Sequence, residues 1–171
     1  NRSRTITLTA TDNDGGSGVA GITYSLDGAA PQVVAGESAS VQIPVEPNTR
    51  HVLTYRAEDA EMLVVAMGSV NGTIKDTIDE MREDGISIGL VTLVAFRPFP
   101  VEALREVLVG RKHVVVVEKS LAVGMGGQLA NHIDLALRNM AGAPRVHSVI
   151  AGLGGRPITR KSLQEVFRRA L

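Results

Sequence analysis

The 171-residue chain has no cysteine and no tryptophan, and neither sign of charge prevails, with 18 basic against 18 acidic side chains. Without cysteine there is no disulfide framework, no Cys-ligated zinc and no Cys-ligated iron–sulfur cluster within the chain. The zero net charge removes the usual signature of a nucleic-acid or acidic-membrane binder. Long hydrophobic runs are missing as well. The longest nearly uncharged apolar stretch, Ile86 to Phe96, falls far short of the roughly 20 residues needed to span a bilayer. No basic-then-apolar leader is present, and Asn1 stands where an initiator would, which reads as an excised or processed piece. What is present is 44% hydrophobic residues, enough for a buried core. Composition therefore points to a soluble globular chain of one ordinary domain or two small ones.

Two compositional regimes meet near residue 57, each close to electrical neutrality. The first is rich in Thr, Ser, Gly and Val and alternates with a period of two. Ile6, Leu8 and Ala10 fall on one face, and Ile22, Tyr24 and Leu26 repeat the pattern. Val41, Ile43 and Val45 do so again, followed by Leu53, Tyr55 and Ala57. Each segment reads as a strand with one buried and one wet face. Turn signals separate them at Asp12 to Gly16, at Asp27-Gly28 and at Glu46-Pro47-Asn48. The expectation is an all-β, sandwich-like region over 1–57. That length is about half of a complete immunoglobulin-type domain of roughly 100 residues, so the sheet should be truncated or lean on its neighbour.

The run TLTATDNDGGSGVAGITYSLDG, with HVLTYRAEDA after it, resembles the small Ig-like β-sandwich repeats of bacterial cell-surface and secreted proteins over residues 4–60. The usual Ala-Gly-Asn ending is replaced by Glu61-Met62-Leu63. That resemblance implies a spacer or adhesion module. The acidic Asp12-Asn13-Asp14 loop offers hard oxygen ligands of the kind calcium takes. An Asx/Gly turn accounts for the same letters, and no bidentate Glu sits at the required distance.

The second regime, 58–171, alternates short apolar runs with helical periodicity. Met62 to Met67 reads as a buried strand. Ser69 then stands at the cap of a helix whose Val70, Ile74, Ile78 and Met81 share a face, ending at Asp84-Gly85. Ile86 to Ala95 is the next strand, and a helix carrying Val101, Leu104 and Leu108 follows Pro98 and Pro100. His113 to Val117 is a third strand, and the helix after it has Leu129, Ile133, Leu137 and Met140 on one side. Pro144 to Ile150 is the fourth strand. The last helix opens at Thr159, with Ile158 and Leu163 as a hydrophobic staple, and buries Leu163, Val166, Phe167 and Ala170. Four strand–helix units predict an α/β three-layer domain with a mainly parallel sheet.

Ligands of such sheets bind at the carboxyl ends of the strands. The loops placed there are Gly68-Ser69, Phe96 to Pro100, Ser120 to Gly127 and Gly152 to Arg156. Two are glycine-rich and run into helix N-termini, which favour anions. Neither completes a phosphate motif: Gly124 to Leu129 lacks the third glycine of G-x-G-x-x-G, and no G-K-[ST] follows Gly152. Tight turns with close backbone packing explain the same glycines. Catalytic constellations are sparse. His51, His113, His132 and His147 show no metal-ligand spacing, and Ser120 lacks a nucleophile elbow. Glu118-Lys119 is either an acid–base pair or a solvated strand-end ion pair. Phe96 and Phe99 beside Arg97 suggest a stacking site or a cover for the sheet. Arg160, Lys161, Arg168 and Arg169 form a basic final helix, either solvated or open to an acidic partner.

The second regime carries a further resemblance. Its MGS, GTIKD, RPFP and GLGGR segments, in order and correctly spaced over 57–171, are similar to the 2-oxoacid:ferredoxin oxidoreductases. The likeness is to the second domain of the α subunit of the pyruvate enzymes, which has the fold of a transketolase C-terminal domain. The resemblance implies a parent complex that decarboxylates pyruvate or a related 2-oxoacid on thiamine diphosphate, passes electrons through iron–sulfur clusters to ferredoxin, and makes acyl-CoA. It also implies a cytoplasmic setting. No G-D-G…N-N signature with magnesium ligands occurs here and no cysteine exists for a cluster. Thiamine diphosphate, magnesium and the clusters are therefore expected only in the rest of the complex, with no cofactor, metal or catalytic residue in this chain. The implied role is structural: packing against other domains or subunits, with ferredoxin reached only through the full complex. Arg97, Pro98, Phe99 and Pro100, with Gly152, Gly154, Gly155 and Arg156, match the family motifs and are the candidate interface. Pro157 stands where the family usually has Asp, which weakens any family-specific cap in that loop.

Tyr55 to Ala60 fits both resemblances, so the chain reads as a chimera joined through that hexapeptide. Two function classes follow: a non-catalytic subunit-association domain of the oxidoreductase, or an extracellular binding or spacer protein with a ligand-binding α/β domain.

Overall fold

The computed structural model describes residues 4–11, 18–26, 29–43 and 52–171. The Asp12-Asn13-Asp14 loop, the Asp27-Gly28 and Glu46-Pro47-Asn48 turns, Val45 and His51 lie outside the described residues. The elements in chain order are β1 (Arg4–Thr9), β2 (Gly21–Leu26), β3 (Gln32–Ala35), β4 (Ser38–Ile43), β5 (Val52–Tyr55) and β6 (Met62–Ala66). Then come α1 (Val70–Glu83), β7 (Ile88–Leu93), α2 (Val101–Leu108), β8 (His113–Glu118), α3 (Gln128–Leu137), β9 (Arg145–Ile150) and α4 (Arg160–Ala170). A short 3₁₀ turn, Leu153–Gly155, precedes α4.

All five residues of β6 are fully buried, as a strand with helices on both faces requires. It pairs in parallel with β7 on one side and with β8 on the other, and β8 pairs in parallel with β9. Side chains alternate across the sheet. Met62, Val64 and Ala66 pack with Ile74, Ile78 and Met81 of α1 and with Leu163 and Phe167 of α4. Leu63 and Val65 face the opposite layer, made by Leu104 and Leu108 of α2 and by Leu129, Ile133 and Leu137 of α3. The three-layer α/β arrangement expected for residues 58–171 is present, with both faces of β6, β7 and β8 covered.

The first regime differs from its expectation. Among the described residues, only β1 and β4 form a separate two-stranded antiparallel sheet. β2, β3 and β5 instead extend the main sheet, whose order is β3-β2-β5-β7-β6-β8-β9. An Ig-like sandwich closed on itself is thus not what these strands form. β5 runs antiparallel to β7, with Val52 opposite Leu93 and Tyr55 opposite Leu90. Having strands on both sides and layers above and below, β5 buries Val52 as well as Leu53, so it lacks the wet face that its alternation predicts. The β1–β4 pair covers the outer strands through a third cluster, in which Val41, Ile43 and Ala39 meet Ile22, Tyr24 and Leu53. The sheet therefore leans on its neighbour, and it runs without interruption across residue 57.

The crossing at 56–60 is held by arginines. Arg82, near the end of α1, donates through Nε to the Ile88 carbonyl (2.6 Å) and through Nη2 to the Arg56 carbonyl (2.7 Å). Its two terminal nitrogens also take both oxygens of Asp59, at 2.7 and 3.0 Å. That guanidinium holds the Asp59 carboxyl below its ordinary range. Arg111 donates to the carbonyls of Glu58 (3.1 Å) and Ala60 (2.9 Å). Tyr55 donates to Asp79 of α1 at 2.9 Å, and Arg56 pairs with the same carboxylate at 3.0 Å. The chain passes so close over β7 that a Cβ on Gly89 would overlap the Arg56 carbonyl oxygen and lie 2.9 Å from Ala57 Cα. Replacing Arg82 by Met strands carbonyls that the fold has already taken from water. Urea unfolding should show a loss of about 2 kcal/mol; an unchanged midpoint would show that the clamp adds no stability.

Candidate functional site

The four parallel strands end at one edge of the sheet, and their following loops meet there. β6 continues into α1 on one face, whereas β8 continues into α3 on the opposite face. Because these neighbouring strands send their connections opposite ways, a crevice opens between their ends. A cavity of about 510 Å³ occupies it, lined by Met67 to Val70, Phe96, Val117 to Ser120, Gln128, Leu129 and Ile158.

Glu118 is the polar centre of this edge. Its two carboxylate oxygens accept from the backbone N–H groups of Leu129 (2.9 Å) and Ala130 (3.0 Å), in the first turn of α3. The negative charge thus sits on the positive end of that helix and satisfies two of its unpaired donors. Gly127 makes this possible: a Cβ there would overlap Glu118 Oε1 and lie 3.0 Å from Ser148 Oγ. The ion pair expected between Glu118 and Lys119 is not found among the described residues. The glycine-rich loop 124–127 leads to a helix N-terminus whose donors are already taken by the chain's own carboxylate. α4 is likewise satisfied, by a capping box in which Thr159 Oγ1 accepts from Ser162 N (3.2 Å) and Ser162 Oγ accepts from Thr159 N (3.1 Å). α1 differs, since Ser69 makes no side-chain cap bond and the first turn holds no acidic residue.

The Phe96 to Pro100 loop packs onto α3 through His132. His132 Nδ1 lies 2.8 Å from the Gln128 carbonyl, which can only accept, so that nitrogen carries the hydrogen. Nε2 then accepts from Arg97 Nη2 at 3.1 Å. Phe96 and Phe99 flank the imidazole with ring centroids 5.0 and 5.2 Å away, and the Arg97 guanidinium lies 4.4 Å from the Phe96 centroid. The Arg97–Pro98 peptide is cis. Of the eight candidate interface residues, Arg97, Pro98, Gly154, Gly155 and Arg156 are exposed, Phe99 and Gly152 are half-buried, and Pro100 is buried.

Between these loops the structure places apolar side chains that no motif or helical period marks. Val123 is 98% exposed, with Met125, Leu121 and Leu153 also open to solvent. The first three project from a turn closed by the Ala122–Gly126 bridge. Their period-two spacing, Leu121-Val123-Met125, was the available signal, masked by the glycines around it.

The remaining candidates lie elsewhere. Arg160 pairs with Glu80 at 2.7 Å and Arg168 with Asp84 at 2.5 Å, so two cations of the final helix are engaged by α1. His113 and His147 come together at the amino edge, ring nitrogens 3.3 Å apart across β8 and β9. No group of three or more metal-ligating side chains occurs among the described residues. No helix among them is long and apolar enough to cross a membrane.

The model of the pyruvate:ferredoxin oxidoreductase core domain II family matches residues 60–163. The chain belongs to that family. Pyruvate synthase subunit PorA of Thermotoga maritima is 43% identical over 117 residues, which covers 68% of this chain and 30% of that protein. PorA of Pyrococcus abyssi is 40% identical over 113 residues, covering 66% and 29%. Ketoisovalerate oxidoreductase subunit VorA of Pyrococcus furiosus is 34% identical over 109 residues, covering 64% and 28%. The domain II chain thus spans less than a third of the curated relatives that it matches. Among solved structures, the alpha chain of a probable 2-oxoacid ferredoxin oxidoreductase from Thermoplasma acidophilum aligns with a TM-score of 0.42 and 27% identity, covering 69% of this chain and 94% of that one.

Two measurements check this geometry. Glu118→Ala leaves two N–H groups of α3 without a partner and should lower stability by about 1.5 kcal/mol, with Glu118→Gln recovering part of it; equal stability of all three proteins would disprove the cap. At the other edge, burial pushes the His147 pKa below 6.5, with Arg145 and His113 adding to the shift. The unfolded chain then binds the proton more readily, so this histidine's contribution is complete above pH 6.5 and is lost as pH falls through the lowered folded value. Following the His147 ring by NMR should show titration below 6.5 that moves upward in His113→Asn. An unmoved curve would separate the two rings electrostatically.

Proposed function

We propose that residues 58–171 act as a non-catalytic structural and subunit-association domain in the α subunit of a pyruvate, or other 2-oxoacid, ferredoxin oxidoreductase. In the full complex the 2-oxoacid is oxidatively decarboxylated to acyl-CoA. Thiamine diphosphate, magnesium and iron–sulfur clusters belong to other parts of that assembly, and ferredoxin meets the complex rather than this domain. The setting is cytoplasmic.

One observation carries the reading. Leu121, Val123, Met125 and Leu153 stand exposed on the carboxyl edge, flanked by the family-matching loops Arg97 to Pro100 and Gly152 to Arg156. Apolar side chains gathered beside exposed polar loops are the mark of a contact surface. The chain spans only 30% of its Thermotoga relative, so the material to cover that edge is available in the rest of such a subunit. Chemistry points the same way. Glu118 caps a helix, His132 is committed to Gln128 and Arg97, and neither is arranged as an acid or base beside a nucleophile.

Residues 1–57 are proposed as a β module fused to this domain. The family match begins at residue 60, which supports a different origin for what precedes it, although both parts share one sheet.

The purified chain should show no pyruvate-dependent reduction of viologen when given coenzyme A, thiamine diphosphate and magnesium; turnover would overturn the non-catalytic assignment. Grafting residues 58–171 in place of the matching segment of Thermotoga PorA should preserve assembly by size-exclusion chromatography. The double change Val123→Asp with Met125→Asp in that graft should block it. Assembly unaffected by the two charges would remove the carboxyl edge as the contact.

A further inference from the structure

The crevice between β6 and β8 goes unused by a docking role on the loops around it. At about 510 Å³ it falls within the range of small-molecule sites. Met67, Phe96, Val117 and Ile158 give it apolar walls, while Ser69 and Lys119 stand at the exposed mouth. The two charged side chains of the lining are engaged differently. Glu118, the carboxylate of the lining, has both oxygens bound by the first turn of α3. Lys119 has no ion-pair partner among the described residues. Its stem lies over Gly152, where a Cβ would come within 2.7 Å of Lys119 Cε and 3.0 Å of Ile158 Cδ1. The bare glycine therefore leaves room for both the lysine stem and Ile158 at the mouth.

From the cavity, its place at the strand-order reversal and this separation of apolar wall from unpaired cation, we propose that the crevice binds a small organic anion. Its headgroup, a carboxylate or a phosphate monoester, meets Lys119 at the mouth beside Ser69. Its short apolar body lies against Met67, Phe96, Val117 and Ile158. The proposal is independent of the docking role, because the binding surface is the crevice and not the projecting Leu121–Met125 turn.

The test is an NMR titration of the full, isotopically labelled chain with butyrate, butyl phosphate, butylamine and butanol. Saturable shifts with butyrate or butyl phosphate, confined to the amides of residues 67–70 and 117–120, are expected, and the tighter of the two identifies the headgroup. Lys119→Met should weaken the anion by about fivefold while leaving butanol unchanged. Ser69→Phe, placed at the exposed mouth, should abolish binding while the amides of α2 and α4 keep their positions and so report an intact fold. No saturable shift with either anion, or equal binding of butylamine, overturns the proposal. Movement of the same amides with protein concentration alone also overturns it, since a second copy of the chain would then fill the crevice.

Discussion

The structure depends on the two-sided burial of β6. Five consecutive residues with no exposed surface need a strand on each side and a helical layer on each face. Parallel pairing with both β7 and β8 satisfies the backbone. The helical layers on the two faces of β6 come with diverging connections of the central pair, β6 through α1 toward β7 and β8 through α3 toward β9. The crevice at the carboxyl edge is thus a consequence of how the core is covered and needs no special loop to create it. A polar residue within β6 would be buried without a partner against one helical layer or the other, according to its position along the strand.

The glycines of the edge serve close approach. Gly127 leaves room for a β8 carboxylate to reach the first turn of α3, and Gly152 leaves room for the Lys119 stem. A helix N-terminus that already holds its own anion has fewer free donors for a bound one. This explains how a glycine-rich loop before a helix can lack a phosphate motif and still be structurally demanding. With Glu118 so committed, the loop between β8 and α3 is anchored at both ends, by the strand and by the Glu118–α3 bonds. The Leu121–Met125 turn projects between those anchors, which positions its apolar side chains without packing them against their own domain.

Legibility in the sequence followed the range of the interactions. The strand–helix rhythm of 58–171 was readable because Ile74, Ile78 and Met81, or Leu163 and Phe167, repeat within one helix. β3 leaves little trace in the sequence, since Gln32 to Ala35 is short and mostly exposed. β5 was read as a strand but with the wrong surroundings: pairing with β7 across the compositional boundary is a long-range event, and local alternation carries no record of it. The Glu118 cap spans 11 residues and the His113–His147 contact 34, the latter set by the register of two parallel strands. Motif matching singles out Arg97 to Pro100 and Gly152 to Arg156, which the structure places on the carboxyl edge. It could not tell that Pro100 is buried while Arg97 is half spent on His132.

The boundary at residue 57 illustrates how a sheet can erase a compositional seam. An open β7 edge presents unpaired backbone groups, which proteins pair or cover. β5 pairs that edge antiparallel, and β2 and β3 continue the sheet outward. The side-chain requirements for this are modest: apolar residues at Val52 and Leu53, a glycine at 89 where the chain crosses, and donors for the carbonyls at 56, 58 and 60. Arg82 and Arg111, from the α/β part, supply those donors. The same two arginines reach residues on the family side of the seam, Asp59 and Ala60, so bonds that organise the entry to β6 also fix the end of β5. Joining the two compositional regimes in one sheet therefore needs few specific contacts.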